Sequence, residues 1–152
     1  MGQNNKLIIY PDASVLNRIF DDQTQPRIYF ESSAVLILFE FIENNIADLV
    51  SSDILLYEND RNPFEERRIF VNFVISNVKE FIKIDKNILT SAKEIENNGI
   101  KKMDALHLAC AEKSSAEYFL TCDDRIIKKY TGRLKALNPV DFVNDILLNK
   151  GV

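Results

Sequence analysis

Four acidic residues are spread along this chain, three of them where an apolar segment stops or starts: Asp12 in I-I-Y-P-D-A-S, Glu58 in D-I-L-L-Y-E, Asp104 in K-K-M-D-A-L-H-L-A and Asp123 in F-L-T-C-D-D-R. Carboxylates at such points can converge on a hard divalent cation, because Mg2+ and Mn2+ prefer oxygen ligands. A cation held that way can activate water against a phosphodiester.

Each acid also has a plainer explanation. Asp12 precedes a helical pattern and can cap it. Glu58 ends a helix containing Ile54, Leu55 and Leu56, where a solvated glutamate is ordinary. The helix dipole disfavours a negative charge there, which a cation or an opposing base would offset. Asp104 opens A-L-H-L-A-C-A, a helix whose small residues allow close packing. A charge buried on it needs a partner, and capping is the competing account. Asp123 and Asp124 follow an apolar strand; one caps the next helix and the other is free to act. Thr121 can bond an acid or serve as an ordinary strand threonine. His107 lies one turn beyond Asp104 and reads as a structural histidine.

Composition narrows the chemistry. At 152 residues the chain fits one domain with a sizeable core. No apolar run reaches the roughly 18 residues a membrane span needs. The N-terminus carries no signal-peptide pattern, which places the protein in the cytoplasm. It also lacks the residue a myristoylation signal wants. With two separated cysteines and one histidine, a Cys/His zinc site is disfavoured, and Cys110 and Cys122 read as buried thiols. No G-x-S-x-G elbow, Walker-type phosphate loop or G-x-G-x-x-G is present. The net charge of −4 does not advertise a nucleic-acid binder. Basic residues nevertheless flank the acids: Lys101 and Lys102 before Asp104, Arg125 and its neighbours after Asp123, Arg67 and Arg68 beyond Glu58. Solvated helix faces are the bland reading of these pairs.

The elements that must position these residues follow from periodicity. Strands are expected over residues 6–10, 46–51, 78–84, 116–121 and 133–137. Helices are expected over 13–20, 27–44, 52–59, 63–77, 86–97, 102–113, 124–130 and 141–148, with Gly99 ending the fifth. Strands separated by helices predict a parallel α/β sheet covered on both faces. Ligands of such sheets bind outside the carboxyl ends of the strands. If the first and fourth strands are neighbours, Asp12 and Asp123 stand on one edge.

The residues resemble the PIN-domain family. The resemblance is carried in order by P-D-A-S at 11–14, S-x-x-L-x-x-E at 52–58, D-A-L-H-L-A at 104–109 and T-x-D at 121–123, and it covers nearly the whole chain. It implies a three-layer α/β/α sandwich with a central, mainly parallel sheet, as one unit over 1–152. It implies a Mg2+- or Mn2+-dependent ribonuclease; many prokaryotic members are toxins paired with an antitoxin. Carried over, Asp12, Glu58, Asp104 and Asp123 become the acidic quartet, both metal-binding and catalytic. Thr121 supports it, and Ser14 helps position a ligand or the phosphate. T-x-D spacing favours Asp123 over Asp124.

The expected function is therefore metal-assisted hydrolysis of RNA, with Lys101, Lys102 and Arg125 holding the backbone. A catalytically idle PIN-like binding module is one alternative. A receiver-like phospho-acceptor is the other, weakened by the single aspartate after strand one. A homodimer is plausible through the apolar helix at 27–44, where Ile28, Phe30, Leu36, Phe39 and Phe41 otherwise read mostly as core.

Overall fold

Neighbouring residues of each strand face opposite ways, and this alternation splits the interior into two cores. The computed structural model describes residues 5–149. The readings placed on residues 1–4, and the outer ends of the 1–152 span, lie outside the described residues. Five strands, β1 (Leu7–Pro11), β2 (Ala47–Ser52), β3 (Glu80–Ile82), β4 (Tyr118–Leu120) and β5 (Lys135–Leu137), form one parallel sheet in the order β3-β2-β1-β4-β5. Ile9, Leu49, Tyr118 and Leu120 enter one core, while Tyr10, Val50 and Phe119 enter the other.

The helices fill both faces. They are α1 (Ala13–Asn17, extended by a single 3-10 turn at Arg18–Phe20), α2 (Pro26–Glu43), α3 (Asp53–Asp60), α4 (Glu65–Ser76), α5 (Lys86–Glu96), α6 (Lys102–Lys113), α7 (Asp124–Lys129) and α8 (Pro139–Asn149). Leu16 of α1, Leu38 of α2, Val71 of α4 and Phe142 of α8 line the first core. Ile88 of α5, Leu108 of α6 and Ile126 of α7 line the second. Each fully buried aliphatic side chain of this kind contributes about 1.5–3 kcal/mol. The three-layer α/β architecture is as expected.

Local differences have local causes. Pro63 does not open α4; Asn62 accepts the backbone N–H of Phe64 at 3.0 Å, and the helix starts two residues after the proline. Pro26 and Pro139 do open helices, as proline at a first helical position can. Gly99 has φ +89°, a conformation that suits glycine, and turns the chain from α5 into α6. On α2 the core residues are Ala34, Val35, Leu38 and Phe41, whereas Phe30 and Leu36 are over half exposed. The expectation that most of the large apolar residues there are core is corrected in part: Phe41 is buried and Phe39 packs against the core, but Phe30 and Leu36 face outward.

One charge network ties the periphery together. Glu31 on α2 is 1% exposed. Arg18 donates to its Oε1 at 3.0 Å, Arg27 to its Oε2 at 3.3 Å, and the Asn138 amide also donates to Oε2. Arg18 further binds Asp21 at 3.0 Å, and Asp21 accepts from Arg67 of α4 at 3.0 Å. Arg27 grips Asp124 of α7 with two bonds of 2.8 Å. The 3-10 turn, α2, α4, α7 and the approach to α8 are thereby joined.

Candidate active site

The chain reverses direction across the sheet at β1, whose neighbours are β2 on one side and β4 on the other. Crevices open at such switch points. Pro11 pairs with Leu120, and the Asp12 N–H donates to the Leu120 carbonyl at 3.0 Å. The ends of β1 and β4 are thus held together, and Asp12 and Asp123 emerge from the same edge.

Asp12 is 6% exposed and caps α1, accepting from the Val15 N–H at 3.2 Å. Ser14 donates to its Oδ1 at 2.5 Å and itself accepts from the Cys122 N–H at 3.0 Å, bridging β1 to the segment after β4. Burial raises the Asp12 pKa above its ordinary value; Ser14 and Thr121 oppose that by bonding the charged form. Thr121 is fully buried and accepts the Asp123 N–H at 3.1 Å.

Asp104 sits in the first turn of α6 and is half-buried. It does not cap the helix: Lys101 occupies the N-cap position, with no side-chain capping bond. Burial raises its pKa and the charge of Asp12 raises it next; His107 opposes this, and the charges of Asp123 and Glu58 add to it. No group among the described residues donates a hydrogen bond that favours its charged form. A carboxylate withdrawn from water and faced by three others is electrostatically strained.

Asp123 both caps α7, accepting from the Arg125 N–H at 2.9 Å, and pairs with the Arg125 guanidinium at 3.3 Å. Burial pushes its pKa up, but the bonds from Arg125 outweigh this and leave it lowered. The expectation that one of Asp123 and Asp124 is free is corrected. Asp123 is the cap, and Asp124 is gripped by Arg27. The cause is a long-range partner on α2 that spacing does not reveal.

Glu58, near the end of α3, is bonded through Oε1 to the Nε2 of His107. His107 is 1% exposed, and its Nδ1 lies 2.7 Å from the Tyr10 hydroxyl. This is the opposing group that the position of Glu58 called for. His107 does structural duty, but the acid it structures is one of the four. The signal was available: three residues after Asp104 puts His107 one turn along the same helix.

A cleft between α6 and α7 is lined by Lys101, Asp104, Asp123, Arg125 and Lys129. Lys129, read from sequence as one of the basic residues flanking Asp123, donates to the Gly99 carbonyl at 3.0 Å. Lys102 is exposed and outside this cleft. A second groove, at α3 and α4, is lined by Glu58, Arg61, Phe64 and Arg67. The Arg61 guanidinium stands 3.7 Å above the Tyr57 ring. It was missed from sequence, though it follows Glu58 by one helical turn.

Asp104 and Asp123 thus line one cleft, Glu58 lines the second groove, and Asp12 is buried where β1 ends. Among the described residues, no group of three His, Cys, Asp or Glu side chains is placed to hold a metal ion. Asp12 is turned to Ser14, Asp123 to Arg125 and Glu58 to His107. The donor set is nonetheless all oxygen apart from the histidine behind Glu58. The unrelieved Asp104 fits a hard cation.

The PIN domain, as a family profile, matches residues 9–132. Comparison with curated proteins gives no significant match. Solved structures that share the fold include three toxin-type assemblies. A toxin-antitoxin complex from Klebsiella pneumoniae aligns with TM-score 0.58 at 17% identity, covering 86% of this chain and 97% of that one. VapBC2 from Rickettsia felis, bound to a DNA fragment from its promoter, aligns with TM-score 0.58 at 14% identity, covering 87% and 98%. FitAcB from Neisseria gonorrhoeae aligns with TM-score 0.59 at 15% identity, covering 86% and 97%.

Proposed function

We propose, for a chain that belongs to the PIN-domain family, that it is a metal-dependent ribonuclease acting through the crevice at the ends of β1 and β4. One observation carries this: Asp104, a half-buried carboxylate with no favouring donor, faces the charges of Asp12, Asp123 and Glu58. Such an arrangement weakens a fold and is made useful by a cation.

Asp12, Asp104 and Asp123 would hold Mg2+ or Mn2+, with Glu58 completing the set or orienting the attacking water. The bound ion would lower the pKa of that water and offset charge growing on the phosphate oxygens. Ser14 and Thr121 keep Asp12 aimed from beneath. Arg125 must leave Asp123 before that acid can serve. Its side chain is 66% exposed, so turning outward to a phosphate is unhindered. Lys101 lines the same cleft and would hold the RNA backbone, with Lys102 on its outer rim.

The likeness to two-component toxin–antitoxin structures supports a toxin role with a protein antitoxin. The exposed Tyr29, Phe30, Leu36 and Ile37 of α2 support a protein partner, either an antitoxin or a second copy of this chain.

The test is direct. Purified protein incubated with RNA and Mn2+ should cleave it, and chelator should stop the reaction. Cleavage that survives both chelator and Asp104→Asn would end the proposal.

A further inference from the structure

We propose that Ser52, Tyr10 and His107 form a one-way hydrogen-bond relay that fixes His107 as its Nε2–H tautomer and so clamps one oxygen of Glu58, making His107 a positioning residue of the site. The relay stands on geometry alone; only its catalytic consequence rests on the nuclease reading.

The direction follows from counting protons and lone pairs. Ser52 is the N-cap of α3, and its Oγ accepts the backbone N–H groups of Ile54 at 3.2 Å and Leu55 at 3.5 Å. With both lone pairs taken, the hydroxyl has only its proton left to offer. Its next neighbour is the Tyr10 hydroxyl at 2.6 Å, so Ser52 donates to Tyr10. Tyr10 is fully buried, and burial pushes its pKa well above the ordinary value, which keeps its proton in place. That proton points to the remaining partner, Nδ1 of His107 at 2.7 Å. An uncharged imidazole that accepts at Nδ1 carries its own proton on Nε2. Nε2 meets Oε1 of Glu58.

The reverse direction fails at its last step. It would aim a proton from Tyr10 at a Ser52 oxygen that already faces the Ile54 N–H at 3.2 Å and the Leu55 N–H at 3.5 Å. The ring orientation is fixed too, because turning the imidazole over would set carbon atoms against both Tyr10 and Glu58. Phe119 stacks on the far side of Tyr10, with ring centroids 5.5 Å apart.

Glu58 is therefore oriented by the core. Tyr10 lies in β1, Ser52 ends β2, and His107 is on α6, so three elements meet behind one carboxylate. Its Oε2 has no protein donor among the described residues and is left to work.

The chain has a single histidine, so a 15N-labelled sample shows one imidazole and needs no assignment. Long-range 1H–15N correlation at neutral pH should show Nε2 protonated and Nδ1 bare. Tyr10→Phe deletes the donor to Nδ1 and should shift the bare Nδ1 resonance while Nε2 stays protonated against Glu58. A wild-type ring protonated at Nδ1, or an unchanged spectrum in Tyr10→Phe, would overturn the relay. The kinetic arm compares two variants. His107→Ala should lower kcat about 10–100-fold with KM unchanged, the usual scale for a group that orients a ligand. His107→Gln keeps an N–H near the Nε2 position and should recover most of that loss. Equal kcat in the alanine and glutamine variants would overturn the positioning role. If the wild type cuts no RNA at all, the nuclease reading falls while the tautomer measurement still decides the relay.

Discussion

Glu31 and Asp104 are both carboxylates drawn away from water, and their surroundings are opposite. Glu31 receives two arginines and an amide, and both of its oxygens are occupied. Asp104 receives no favouring donor and faces three more acids. The first arrangement compensates a buried charge with partners and holds five segments in register. The second leaves the charge without a hydrogen-bond donor, opposed only by His107 and Arg125 at longer range. A chain that can satisfy one buried acid so fully, yet leaves another so exposed to repulsion, has a use for the imbalance.

Mutating the two sites should separate these roles. Glu31→Ala leaves Arg18 and Arg27 without their shared partner. Urea unfolding should show a loss of about 3–5 kcal/mol, as for breaking a buried ion pair. Cleavage per folded molecule should survive. A loss under about 1 kcal/mol would mean the network is decoration, on the scale of surface pairs.

Asp104→Asn should do the reverse. Cleavage should fall by about 10²–10³-fold, the scale of deleting one electrostatic group from a site. The metal-free protein should melt at a higher temperature than wild type, because a charge repelled by three others is gone. A lower melting temperature would erase the contrast.

The same contrast should appear in pH dependence. Burial raises the folded-state pKa of Asp12 and Asp104 above the ordinary 3.8. The folded state then binds protons more tightly than the unfolded chain. Their contribution to stability is present when they are protonated and is lost as pH rises from 3.8 through the raised values. Asp123, with its pKa lowered, works in the opposite sense and loses stability on acidification through its own range. In metal-free protein, the urea midpoint of Asp104→Asn should vary less with pH above 3.8 than that of wild type. Parallel curves would show that Asp104 is not strained.

The smallest effect concerns the rim. Lys101 lines the cleft with Asp104, and Lys102 does not. Lys101→Ala should lower the salt dependence of RNA binding by a slope of about 0.7, one single-strand phosphate contact. Lys102→Ala should change it less. Equal slopes would move the RNA path outward.

Elements and acids were legible in the sequence to different depths. The helix at 102–113 and the turn at Gly99 were readable because small residues, periodicity and a glycine act locally. Asp12 and Asp123 were readable because an apolar run stops just before each. What was hidden lay across the sheet. Asp124 is held by Arg27, nearly a hundred positions earlier. His107 looked merely structural because Glu58 and Tyr10 reach it from other elements. Glu31 gave no sign of burial, since its partners come from the 3-10 turn, from its own helix and from Asn138. Periodicity on α2 marked a helix but could not say which apolar side chains face outward; Phe30 and Leu36 do.

The order of the strands has a temporal consequence. The central strand is made first, but its neighbour on the crevice side, β4, ends only at Leu120. On the ribosome, the growing chain would thus display half a sheet with one wall of the crevice absent. Acids from four distant stretches cannot meet before the last wall docks. An RNA-cutting site of the kind proposed would then stay unassembled while the ribosome is still making it.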